Sequence, residues 1–369
     1  MISLDNAKVL RILDQTEKVQ KVLVKNSNGE SEAINYLDFN NLLNIGDQVI
    51  INCTATTLSL GTGGYDFVVS SINPNINLSN FDKNSDGHIM KLKYTPYQFS
   101  VKSCEEESSE YHNIFKEIKT LDNLPVLIGE LHSMLPILVT TIRQLEIKEK
   151  LKRKRIIYIM TDGGALPIEL SEHVRRLKGL GWLDGSITIG NAFGGDLEAV
   201  NIYSGLIAAK HILDADIIIV LMGPGIVGTN TLIGNTAIEQ GIISNAVRTL
   251  KGMPICILRA SIQDERDRHN GISHHSLTVL NQICLSKNIV TYPKYIVNNL
   301  PKIYDTISQI DSIHQLEEVN IINQELIDFL KEYPYPITTM NRTINDDYLF
   351  FDFVASSAYW VVEQVNKFK

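Results

Sequence analysis

The stretch Asp264-Glu-Arg-Asp-Arg-His-Asn-Gly-Ile-Ser-His-His-Ser276 packs three of the chain's nine histidines, two aspartates and two arginines into thirteen residues. Neutral imidazole binds transition metals and moves protons near neutral pH. A guanidinium forks onto carboxylates and phosphates. His274 and His275 follow Ser273, a good N-cap, so both fall in the first turn of a helix. The positive end of the helix dipole disfavours imidazolium there, which leaves the rings free to ligate or to donate to an oxyanion. Neighbours on a helix diverge by about 100°, so the spacing predicts that one ring faces a site and the other is structural. His269, His274 and His275 are candidate acid/base groups, and Asp264 and His274 candidate metal ligands. Arg266 and Arg268 either grip an anion or pair with Asp264, Glu265 and Asp267.

Other polar clusters follow apolar runs elsewhere. Glu130 and His132 form a candidate acid/base or ligand pair, against which stands an ordinary polar loop. Asp162-Gly-Gly164 offers a carboxylate with no evident capping task, hence a candidate general base or metal ligand. Gly194-Gly195-Asp196 pairs two glycines with an aspartate better explained as the N-cap of the helix after it. Gly223-Pro-Gly-Ile-Val-Gly228 spells G-x-G-x-x-G, but the next capping signal waits until Thr236-Ala-Ile-Glu239, and the following strand ends in Arg259 rather than an acid. The same stretch misses a phosphate loop because Thr229 stands where lysine belongs. A milder reading keeps the amides of Gly223, Gly225 and Gly228, the hydroxyls of Thr229 and Thr231, and Gly194 and Gly195 as an anion cradle. A tight strand-exit turn is the equal alternative.

These clusters gain meaning from the elements that carry them. Compact apolar runs at Val126–Gly129, Ile156–Met160, Ser186–Ile189, Ile217–Met222, Ile255–Leu258 and Ile289–Tyr292 alternate with helical patterns. The helices are expected from about Met134, Pro167, Asp196, Thr236 and Ser273. Such alternation predicts a doubly wound, mainly parallel, Rossmann-like α/β sheet covered on both faces. Right-handed crossovers then put all strand C-termini on one edge, where open α/β sheets bind ligands. Every cluster named above follows a strand end.

The first hundred residues read as a small all-β, barrel-like domain, with strands at Lys8–Leu13, Val19–Lys25, Asp47–Cys53 and Asp66–Ser71. Turn signals lie at Asn28-Gly29, Ile45-Gly46-Asp47 and Gly61-Thr-Gly-Gly64, and Pro74 to Gly87 reads as a long loop. The expected division is residues 1–104, 105–330 and a C-terminal helical segment 331–369. That last segment is rich in aromatics and serves either internal packing, the preferred reading, or a homodimer contact.

The chain has 369 residues, 44% of them hydrophobic, and a formal net charge of −8. Excess acid speaks against a general nucleic-acid or membrane-surface binder. The one basic run, Lys148 to Arg155, is read as a solvated helix end. No stretch has the length of a membrane helix or the build of a signal peptide, and four scattered cysteines fit reduced core thiols, so a cytoplasmic protein is expected.

Five segments together resemble the domain-of-unknown-function 3866 family: Gly129-Glu-Leu-His-Ser-Met-Leu-Pro136, Thr161-Asp-Gly-Gly-Ala-Leu-Pro167, Asn191-Ala-Phe-Gly-Gly-Asp-Leu-Glu-Ala-Val-Asn201, Met222-Gly-Pro-Gly-Ile-Val-Gly-Thr229 and Arg268-His-Asn-Gly-Ile-Ser-His-His275. The resemblance spans essentially the whole chain and implies no mechanism. Where it leads one to expect histidine before Ala192, this chain has Asn191, so an essential base is not expected there. The leading functional expectation is an enzyme acting on a small anionic molecule, a phosphorylated one included. Its cofactor is unknown, and a divalent metal fits the histidines. The alternatives are a ligand-sensing regulatory module and an NAD(P)-dependent oxidoreductase.

Overall fold

The computed structural model describes residues 2–59, 64–72, 87–164, 166–223 and 225–367. The expected turn at 61–63, nearly all of the expected loop at 74–87, and Pro224 of the glycine motif lie outside the described residues. Two compact units emerge: residues 1–86 with 93–98, and residues 87–92 with 99–369.

The first unit holds a closed five-stranded barrel of order β1-β2-β3-β5-β4. The strands are β1 (Leu4–Gln15), β2 (Val19–Asn26), β3 (Gly29–Tyr36), β4 (Gln48–Asn52) and β5 (Asp66–Ser71), with the short helix α1 (Thr54–Thr57) between the last two. Closure removes every exposed strand edge. Val9, Val22, Val24, Ala33, Val49 and Ile51 fill the interior from alternating positions. The strand β3 carries no apolar run, since GESEAINY is polar in its first half, and pattern reading passes over it. Its pairing with β2 over eight residues places it in the barrel.

The second unit is built on an eight-stranded, all-parallel sheet. After a two-stranded ribbon, β6 (Ile89–Lys91) with β7 (Phe99–Val101), the chain enters β8 (Pro125–Gly129), α2 (Met134–Lys148), β9 (Ile156–Met160), α3 (Glu172–Gly179), β10 (Gly185–Ile189) and β11 (Leu197–Ala199). It continues through α4 (Ile202–His211), β12 (Ile217–Leu221), α5 (Glu239–Thr249) and β13 (Met253–Cys256). A small ribbon, β14 (Ala260–Ser261) with β15 (Gly271–Ile272), precedes α6 (His274–Thr278). Then come β16 (Ile289–Pro293), α7 (Ile296–Asn299), α8 (Pro301–Ile307), β17 (Gln315–Val319), α9 (Asn323–Lys331) and α10 (Tyr348–Lys367). The spatial order is β11-β10-β9-β12-β8-β13-β16-β17. Strands β8, β9, β10 and β12 are buried throughout, as continuous apolar runs in a two-sided sheet require. Alternate residues feed two cores: Leu127, Ile219 and Tyr158 pack with α2 and α10, while Ile128, Val220 and Ile157 pack with α4 and α5. The Rossmann-like expectation holds.

Local details depart from expectation. The stretch after Asp196 forms β11, not a helix; the next helix, α4, starts at Ile202 under a capping box between Asn201 and Ser204. Asp196 instead accepts from the Ser186 amide and hydroxyl and pairs with Lys178. The anticipated Thr236/Glu239 capping box does not form either. Thr236 bonds Val227, and the Glu239 carboxyl accepts from the Thr161 hydroxyl at 2.8 Å, a tertiary partner that sequence spacing cannot reveal. The aromatics of α10 are turned inward, with Phe350, Phe351 and Phe353 all buried, so this helix serves internal packing. The basic run contributes ion pairs, Lys148 to Glu325 and Arg153 to Asp184.

Candidate metal and anion site at the carboxyl edge

The central strands β12, β8 and β13 are neighbours, and the segments leaving their C-terminal ends meet. From β8 comes Glu130, fully buried. Just beyond β13 comes Arg259, 3% exposed, with Nη1 3.5 Å from Glu130 Oε1 and Nη2 3.4 Å from Asp264 Oδ2. Buried ions persist only when paired, and this trio satisfies that condition. Arg266 grips Asp264 from the solvent side with two bonds, Nε to Oδ1 at 2.8 Å and Nη2 to Oδ2 at 2.7 Å. That grip holds the Asp264 carboxyl well below the usual carboxylate range. Both oxygens of Asp264, a candidate metal ligand by sequence, are thus engaged by Arg266.

The histidines converge. One ring nitrogen from each of His269, His274 and His275 lies within 4.8 Å of the other two. Ring centroids are 4.4 Å apart for His274 and His275, 4.9 Å for His269 and His275, and 5.2 Å for His269 and His274. The expectation that adjacent helical positions cannot share one ligand is therefore corrected. Side chains on a helix lean toward its N-terminus. At the first turn of α6 both rings project past the helix end, where His269, from a 3-10 turn at Asp267–His269, meets them. Ser273 organises the group: its hydroxyl accepts from the His275 amide as N-cap and lies 2.8 Å from His269 Nδ1.

Each ring is oriented differently. His275 Nδ1 sits 3.2 Å from Glu130 Oε2, and its Nε2 lies beside Gly228. His269 is fixed through Nδ1 by Ser273. His274 Nε2 is buried without a hydrogen-bond partner among the described residues. Burial, together with the Arg259 and Arg266 guanidiniums, pushes His269 down to about 3. Burial and the neighbouring His275 lower His274 as well. Neutral rings are the ligating form. A tetrahedral zinc with bonds near 2.0–2.1 Å holds its ligand nitrogens about 3.4 Å apart, closer than the 4.8 Å within which these atoms lie.

The remaining candidates fall in different places. Gly228 backs directly onto His275: a Cβ there would stand 3.8 Å from the ring. The loop beyond it turns on itself. The Thr229 amide and hydroxyl both donate to the Gly234 carbonyl at 2.9 Å, and Thr231 Oγ1 accepts from the Gly234 amide. Those donors are internally engaged, which favours the turn reading for Thr229 and Thr231. Gly223 is buried at the strand exit, and Gly225 takes φ +97°. The amides of Gly194 and Gly195 are likewise engaged, by Glu198 and Thr188 Oγ1. His132 is held between the Tyr158 hydroxyl at 3.1 Å and the Ser171 hydroxyl at 2.5 Å, and burial lowers it to about 4. Asp162, after β9, accepts from Asn191 at 3.2 Å and shares no hydrogen bond with a histidine among the described residues. Sequence reading missed Ser273 as organiser and the turn at Thr339–Arg342. It met Arg259 only as a non-acid. No local pattern marks any of these roles.

Fold and site together define a Rossmann-like α/β protein with a three-histidine cluster and a buried acid–arginine pair at its carboxyl edge. The chain belongs to the family described as protein of unknown function (DUF3866), which matches residues 32–358. No curated protein and no solved structure matches it. Among the described residues, no helix is long and apolar enough to cross a membrane.

Proposed function

We propose that this protein is a cytoplasmic, metal-assisted enzyme acting on a small anionic molecule. The observation that carries the reading is the convergence of His269, His274 and His275 with Glu130 behind His275. Three converging imidazoles are the protein donor set of a catalytic zinc-type centre, which lowers the pKa of a bound water and polarises a substrate oxygen. Glu130 orients His275 and raises its basicity as a ligand. Asp162 and Asp264 are outside the ligand set, and Asp264 positions the arginines instead. The nicotinamide alternative loses support, since the strand after the glycine motif leads into Arg259 rather than an acid.

The test is metal analysis of the purified chain beside His274→Ala and Asp162→Ala, with thermal shift against a panel of anionic metabolites. One bound zinc-type ion per chain is expected, lost in His274→Ala and kept in Asp162→Ala. Unchanged metal in His274→Ala, or no metal in any form, sinks the proposal. A second reading, a binding module, draws on the partly exposed barrel aromatics Tyr36, Phe39, Phe67 and Tyr97, which pack within 5.5–6.3 Å of one another. It predicts ligand binding without turnover.

A further inference from the structure

Three guanidiniums converge on a single thioether. Met340 Sδ lies 3.5 Å from Arg259 Nη2, 3.6 Å from Arg266 Nη2 and 3.8 Å from Arg342 Nη2. Thioether sulfur is a weak acceptor, so three cationic forks spend donors on an atom that returns little. The backbone that delivers it is strained. Thr339 and Arg342 exchange both backbone bonds at 2.9 Å, which closes a two-residue turn on Met340 and Asn341. Both residues take positive φ, +47° and +62°. That is a type I′ turn, whose first position favours glycine, asparagine or aspartate, and methionine there is strained. The Arg342 Nε is buried and lacks a hydrogen bond, though Asp347 Oδ2 stands 3.2 Å away.

We propose that Arg259, Arg266 and Arg342 form a phosphate subsite, free phosphate or phosphomonoester, and that the Met340 turn is a plug seated in it. The proposal deepens the enzyme reading and rests on it for the role of the neighbouring histidines. A carboxylate offers two coplanar oxygens and is filled by one guanidinium; three forks converging from separate segments suit a tetrahedral oxyanion. Arg259 is itself fixed by Glu130, whose other oxygen faces His275, so the subsite and the histidine cluster share one carboxyl group. Glu130, Asp264 and Asp347 balance the three guanidiniums. Recognition at the subsite therefore rests on the geometry of the converging guanidinium donors and not on surplus positive charge. Met340 as a whole residue is 42% exposed, so the plug lies at the surface of the unit.

The test is calorimetric titration of the metal-stripped full chain with inorganic phosphate and, in parallel, phenyl phosphate. Met340→Gly removes the plug and relieves the turn. It is expected to bind at least about ten-fold tighter than wild type, and Arg266→Gln in that background is expected to abolish the gain. The tighter of the two ligands tells free phosphate from a phosphomonoester. No gain in Met340→Gly, or a gain that survives Arg266→Gln, overturns the proposal. Should Arg266→Gln unfold by circular dichroism, Arg342→Lys is read in the same way. Because metal is absent throughout, failure of the metal centre leaves this result standing, and the reverse also holds.

Discussion

Glu130 shows how one side chain can serve two neighbours at the residue scale. Its oxygens divide between Arg259 and His275, and no part of it meets solvent. Removing one partner of a buried pair is costly, about 3–5 kcal/mol, because the other charge is stranded. Glu130→Gln keeps the size and an acceptor but removes the charge behind His275. It is expected to weaken zinc binding by about 10–100-fold, as loss of an outer carboxylate does at histidine metal sites, measured by competition with a chromophoric chelator. A fall in melting temperature with zinc affinity unchanged would make Glu130 purely structural.

At the scale of elements, short pieces do the positioning. The five-residue helix α6 presents two histidines, then passes into a π-turn at Val279–Ile283, where Ile283 lies so close to Gly241 of α5 that a Cβ there would collide at 2.5 Å. Local helix irregularities of this kind cluster near working sites. The long helix α10 braces the unit from the other side, with Ser356 and Ser357 bonded to Thr291 of β16. It also buries Asp352, whose Oδ2 takes the Tyr295 hydroxyl at 2.5 Å while Oδ1 has no partner. Burial raises this carboxyl from 3.8 to about 7. The folded state thus keeps a proton that the unfolded chain releases, and the associated stability is full below about pH 4 and lost as pH rises through 7. Asp352→Asn is expected to stabilise the protein by about 2 kcal/mol at pH 8 and to change little at pH 4, read by urea denaturation. An equal effect at both pH values would contradict the buried-acid account.

At the scale of the whole molecule, histidines dominate the acid response. His132 and His173 are both lowered from 6.5 to about 4 by burial, with His269 beside them at about 3. Below pH 6.5 the unfolded chain takes up protons that the folded chain refuses. Stability supplied by these groups is present above 6.5 and lost as pH falls toward 4. Three histidines outweigh the opposite contributions of Asp352, Glu198 and Glu239, whose carboxyls burial raises. The urea midpoint of the metal-free protein should fall between pH 6.5 and 4.5, and the double substitution His132→Gln with His173→Gln should flatten that slope. A midpoint that holds steady or rises on acidification would refute it.

What the sequence by itself determined is the frame. Continuous apolar runs at period two, helical faces at period 3.6 and polar clusters after each run are local signals, and together they specify a barrel, a parallel sheet and an edge where chemistry gathers. The strands at Pro125–Gly129, Ile156–Met160 and Ile217–Leu221, and Ser273 as the cap of α6, were legible for that reason. Only the tertiary structure decided who meets whom. Glu239 left its capping box for Thr161, Asp264 paired with Arg266, and Met340 arrived from a segment with no motif at all. These choices turn on pairings across 2 to 81 residues of chain, most of them between distant elements. Such pairings are fixed by strand order and by the cost of burying an unpaired charge, and neither quantity is written in any local spacing.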